Sequence, residues 1–184
     1  MGFRRSARKL PTRRTIGVTA LAVFSLWLVM PGTASAGDAR NIGILDRCDP
    51  ASFNALFGDG VCVLRTGGVP VETFLARVNP KDGGHNAWRF TPERVRLGAG
   101  QFLRLDNRGG EVHTFTEVVN FGGGFIPELN ATLPPGTPLA VPIGDLRFIA
   151  AGEQIDLSVP AAGMHRFECL IHPWMQTTVT QTSD

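Results

Sequence analysis

Near the C-terminus the chain reads Phe167-Glu168-Cys169-Leu170-Ile171-His172-Pro173-Trp174-Met175. A thiol, an imidazole and a thioether thus fall within seven residues. A second imidazole stands upstream, His113 in Glu111-Val112-His113-Thr114-Phe115-Thr116. Thiolate, imidazole and thioether are the donors that soft copper prefers, and two His, one Cys and one Met make the ligand set of a one-electron copper centre. His172 is three residues beyond Cys169, so a tight turn brings both side chains to one point. Met175, three further on, can approach from the axial side, and Pro173 stiffens the turn by fixing its own φ. Taken singly, His113 and Met175 read as ordinary strand and core residues; the four together favour a metal. His165 stands four strand residues from Cys169, roughly 13 Å at strand rise, and reads as core or wall. His85, in Gly83-Gly84-His85, reads as a solvated loop residue.

Fast copper cycling requires that neither oxidation state force its ligands to move, so a rigid scaffold must hold them. From Asn86 on, short runs of strand-forming residues are broken by Gly and Pro, as in a sandwich. Strands are predicted at Ala87–Phe90, Val95–Leu97, Gln101–Asp106, Val112–Val119, Gln154–Val159, Met164–Cys169 and Thr177–Gln181. Alternation along Met164–Cys169 turns His165, Phe167 and Cys169 one way and sets the Cys on the inward face at a strand end. Before Asn86 the texture differs. Apolar residues at helical spacing predict a short helix over Val71–Val78, ending at Asn79-Pro80. Phe121 to Ile149 is long, rich in Gly and Pro, and reads as a rigid insertion covering a sheet edge or as a functional loop.

The stretch from Trp88 to Gln181 resembles the cupredoxins, the plastocyanin and azurin family of blue-copper proteins. The resemblance rests on the Cys-x2-His-x2-Met loop, which is most like that of amicyanin. It also rests on Phe90-Thr91-Pro92 and on Gly98, Gly100 and Asn107 ahead of the first His. It implies a Greek-key β-sandwich with His113, Cys169 and His172 as equatorial copper ligands and Met175 as the weak axial one. It also implies a redox partner docking where the loop His reaches the surface, near His172, Pro173 and Trp174; Trp174 either extends that patch or folds into the core. Where many members have Asn after the first His, this chain has Thr114, whose hydroxyl can make a similar bond. The His113 to Cys169 separation is long for an amicyanin-like protein, and Asp38–His85 lies outside the family pattern.

Residues 1–36 read as an export leader. Six bases and no acid (Arg4, Arg5, Arg8, Lys9, Arg13, Arg14) precede the apolar run Ile16 to Met30 and the small-residue site Ala34-Ser35-Ala36. The run is shorter than the ~18 residues a membrane span needs. Arg13-Arg14 hints at twin-arginine export, so a periplasmic or extracellular address is expected, by either export route. Of the 18 Lys and Arg, 12 remain after the leader against 16 Asp and Glu, a net of −4. No basic patch argues for nucleic acid. The remaining 148 residues suffice for one sandwich domain, 86–184, with 37–85 as an N-terminal extension. In an oxidising compartment Cys48 and Cys62 are expected to pair around a short Gly- and Asp-containing loop, although either could instead pair with Cys169. Metal ligation accounts for the leftover Cys169.

The expected role is a monomeric, exported copper protein acting in one-electron transfer. The alternative is a copper carrier or store without a redox partner. An enzyme is not expected: beyond the two proposed ligands only two His remain, too few for a three-His copper site, and no Cys-x3-Cys bridge exists. Zinc is disfavoured because Met is a poor zinc ligand.

Overall fold

The structure is a computed structural model that describes residues 38–183, together with Gly2. The expected leader and its cleavage site therefore lie outside the described residues, Gly2 apart. Ten strands follow in chain order: β1 (Ala39–Leu45), β2 (Arg89–Thr91), β3 (Arg94–Leu97), β4 (Phe102–Asn107), β5 (His113–Thr114), β6 (Thr116–Val118), β7 (Phe148–Ile149), β8 (Gln154–Leu157), β9 (Gly163–Glu168) and β10 (Gln176–Gln181). Two helices, α1 (Pro50–Phe57) and α2 (Val71–Leu75), lie between β1 and β2.

The strands form two four-stranded sheets, β2-β1-β4-β8 and β3-β10-β9-β6, with β5 and β7 as a separate pair. Both large sheets are open, and each mixes antiparallel pairs with one parallel pair, β1 with β4 and β10 with β3. Alternation along the strands points one face of each sheet into a shared core. Ile42, Ile44, Leu103 and Leu105 come from the first sheet and Val95, Leu97, Phe167 and Val179 from the second. Phe115 links Phe90 (5.1 Å) to Phe167 (4.5 Å, stacked) between them. The expected all-β sandwich is therefore present, with the Cys48–Cys62 disulfide in its N-terminal region.

Several elements differ from expectation. β1 was not predicted, yet it lies inside the first sheet, pairing Gly43–Leu45 with β2 and Ala39–Ile44 with β4. Its apolar signal is only Ile42-Gly43-Ile44-Leu45, too short to stand out. The single strand expected at Val112–Val119 is two. β5 pairs with β7, Phe115 N–H donates to Arg147 O, and β6 then pairs with β9. The chain changes partner at Phe115, which periodicity does not register. Helix α2 is shorter than expected, and α1 was missed. Asp49 caps α1, accepting from Ser52 N–H at 2.9 Å, with Pro50 in its first turn. The 121–149 segment runs along the free edge of β6: Val119 N–H donates to Val141 O and Ile143 N–H to Glu117 O. That arrangement shields the unpaired edge.

Because Ile44 is fully buried in a strand with partners on both sides, Ile44→Ala should cost about 2–5 kcal/mol. Urea unfolding followed by fluorescence measures this; a loss under 1 kcal/mol would mean that β1 is not integral to the sheet.

Candidate metal centre

Cys169 follows the last residue of β9, and its thiol is fully buried. Its Sγ accepts two backbone N–H groups, from Thr114 and from His172, each at 3.4 Å. His113 Nδ1 lies 3.7 Å from that sulfur and His172 Nδ1 lies 4.0 Å from it. The three donor atoms fall within 4.8 Å of one another. His113 and Thr114 form β5, which pairs with Ile149 and Phe148 and so brings His113 from a strand other than those flanking the 169–175 loop. The loop closes on itself: Cys169 N–H donates to Met175 O and Met175 N–H to His172 O. Met175, the expected axial donor, is fully buried, and its backbone is bonded to both of those ligand residues.

Thr114 ties the two halves of the site together. Its hydroxyl accepts from Leu170 N–H at 2.6 Å while its own N–H points at the Cys169 sulfur. This is the bond expected of it in place of Asn. Asn107 braces the approach to His113, its side-chain amide donating to Glu111 O and Ile149 O.

Two carboxylates that sequence reasoning missed complete the surroundings. Asp46, one residue beyond β1, meets His113 Nε2 at 2.8 Å. It also accepts backbone N–H groups from Gly110, Glu111 and Cys48. Glu111 accepts a short hydrogen bond from the Trp88 indole and lies 3.9 Å from His172 Nε2. Neither carried a motif; only the fold brings β1 and the 107–111 turn to the back of the imidazoles.

These contacts bias the charge state of the site. Burial opposes charge on His113, but the Asp46 carboxylate and Cys169 outweigh it and push the imidazolium up to about 10. Burial likewise raises Cys169, yet the hydrogen bonds and charges of His113 and His172 hold it well below the usual thiol value. These contacts favour the thiolate, the form that binds metal. Burial pushes Glu168 up to about 8 against the bond from Gly122 N–H, so it stays neutral at pH 7 and adds no charge beside the thiolate.

The centre is closed over by aromatic rings. His172 is 3% exposed. Phe74 of α2 sits edge-on to its ring at 6.0 Å and Trp174 at 5.4 Å. Trp88 packs against Phe74 at 4.6 Å and Phe53 of α1 stacks on Trp88. Trp174 is half-buried, its indole donating to Trp88 O. His85 is not the solvated residue expected: it packs edge-on against Trp88 at 5.2 Å. His165 is outside the site, as expected, bonded to Glu117 and Ala161 O.

The donor set is compatible with copper. Metal ions of this row bind imidazole and thiolate at roughly 2.0–2.3 Å, so donors 3.7 and 4.0 Å apart are close enough to share an ion. A His2Cys trigonal set with a thioether nearby is the arrangement of a blue-copper site.

No protein-family model and no curated protein sequence matches the chain. Among solved structures, a purple cupredoxin from Nitrosopumilus maritimus is similar over 79% of this chain and all of that one, at 12% identity and a TM-score of 0.42. A Cu(I) form of an amicyanin mutant is similar over 51% of this chain and 73% of that one, at 16% identity and a TM-score of 0.35. A copper-containing nitrite reductase from Thermus scotoductus matches over 52% of this chain but 20% of its own length, at 15% identity and a TM-score of 0.35. The described residues form a two-sheet β-sandwich, to which these copper proteins are similar. At these scores the likenesses leave function to the chain's own site.

Thr114→Val keeps the shape but leaves Leu170 N–H buried without an acceptor. The expected cost is about 1–3 kcal/mol in unfolding of the metal-free protein; an unchanged stability would show that the bond does not fasten the loop.

Proposed function

We propose that this protein is an exported blue-copper protein that carries single electrons and catalyses no reaction of its own. The observation that carries the reading is the convergence of the donor atoms of His113, Cys169 and His172 on one buried point. His113, Cys169 and His172 would hold the ion and Met175 would supply the weak axial donor. Bound copper supplies reversible one-electron chemistry. The chain's own residues do the rest. The N–H groups of Thr114 and His172 hold the sulfur, the 169–175 loop is cross-bonded, and the aromatic cover excludes water. Together these limit ligand movement between oxidation states.

The alternative role as a copper carrier needs a ligand that another protein can reach. His172 at 3% exposure and a fully buried Cys169 disfavour it. A redox partner is proposed to dock at the His172 end of the molecule. Pro173 is buried and Trp174 half-buried there. The open apolar ground beside His172 is a shallow cavity of about 510 Å³ lined by Val61, Val63, Val112 and Ile171. Docking would bring a partner's centre close to the His172 ring. Monomeric, periplasmic or extracellular operation is part of the same proposal.

Adding Cu(II) to the purified protein should produce an intense visible thiolate-to-copper band. Cys169→Ser should abolish it. Met175→Leu should keep the band and shift the midpoint potential, because the axial donor tunes it. A colourless wild-type protein, or a band that survives Cys169→Ser, would overturn the reading.

A further inference from the structure

The N-terminal segment places a buried carboxylate behind a ligand imidazole. Asp46 is 4% exposed, and its Oδ2 lies 2.8 Å from His113 Nε2, the ring nitrogen opposite the one that faces Cys169. The carboxylate is built into its place. Oδ1 accepts from Gly110 N–H at 2.8 Å and from Cys48 N–H at 3.3 Å; Oδ2 also accepts from Glu111 N–H at 3.1 Å. The turn that supplies two of these donors wraps the carboxylate closely. A Cβ at Gly109 would fall 1.8 Å from Asp46 Oδ2, and one at Gly110 would fall 2.6 Å from Cys48 Sγ. Only glycine fits either position, and the disulfide presses on the same turn. Asp46 follows β1 directly and Cys48 starts the disulfide loop, so sheet, disulfide and turn all fix this one side chain.

Resting on the copper reading above, we infer that Asp46 is a positioning residue that orients His113 through Nε2 and biases the centre toward Cu(II). The physical grounds are two. A carboxylate bonded to the far nitrogen of a ligand imidazole fixes its tautomer and raises its basicity. It also sets a fixed negative charge, out of water, one ring away from the metal, where charge interactions are strong. Cu(II) carries one more positive charge than Cu(I) and gains more from both effects. Glu111 faces His172 Nε2 at 3.9 Å, beyond hydrogen-bond reach, and is engaged by the Trp88 indole. Its influence is therefore the smaller of the two. The segment 37–85, which the cupredoxin pattern leaves unexplained, thereby reaches one ligand imidazole with a charged side chain and the other with the ring of Phe74.

The test compares copper-loaded wild type, Asp46→Asn and Glu111→Gln by voltammetry and visible absorption. Asp46→Asn should keep the thiolate-to-copper band while the ratio of Cu(II) to Cu(I) affinity falls about tenfold or more, a rise of about 59 mV for one electron. Glu111→Gln should change the ratio less. An unchanged or lowered potential in Asp46→Asn, or a larger shift in Glu111→Gln, would overturn the inference. A wild type without the band would instead overturn the copper reading itself. Should Asp46→Asn fail to fold, the wild type answers alone. In its Cu(I) form, proton NMR should show a far-downfield His113 Nε2–H that exchanges slowly with water, and its absence would contradict the inference.

Discussion

Cys169 is fully buried, and its neighbours favour its thiolate, a charge that is costly to bury unless it is paired and hydrogen-bonded. The surrounding structure meets that requirement from four directions. Backbone N–H groups arrive from β5 and from the loop's own turn. Imidazoles arrive from His113 and His172. The positive charge this gathers on His113 is in turn matched by Asp46, which three backbone donors hold. The result is a relay of carboxylate, imidazolium and thiolate, each member justified by the next. His113 and Cys169 would hold a metal ion between them, the ion taking the place of a ring proton.

The same constraint explains where the elements lie. Cys169 must sit at a strand end so that a turn can bring His172 back to it, and β9 ends at Glu168 for that reason. His113 must come from another layer, and β5 leaves the main sheets to pair with β7, which places it there. The N-terminal segment closes the rest. β1 carries the chain to Asp46, and α1 and α2 contribute Phe53 and Phe74 to the ring cluster over His172. A ligand edge that a bare sandwich would leave open is thus covered by residues far from it in sequence.

The part of this arrangement visible in the sequence was the part written locally. Cys169, His172 and Met175 lie within one turn-sized stretch, and the strands around them alternate clearly. His113 and the bond made by Thr114 followed from resemblance to the cupredoxin pattern. Asp46 and Glu111 were not legible, because each meets its imidazole across more than sixty positions of sequence, which no local pattern records. β1 itself was hidden by Gly43 in its centre, and the division of Val112–Val119 by a change of hydrogen-bonding partner that leaves side-chain periodicity intact. His85 looked solvated because its flanking glycines suggest an open loop, whereas the neighbouring Trp88 ring supplies a wall. The disulfide resolved to the local pair, leaving Cys169 free, as metal ligation requires.

The most direct test of a preformed centre is X-ray absorption at the copper edge in both oxidation states. The account predicts one sulfur and two nitrogen neighbours at short distance, nearly unchanged on reduction. A first shell of nitrogen and oxygen without sulfur, or one rebuilt when the ion is reduced, would contradict it.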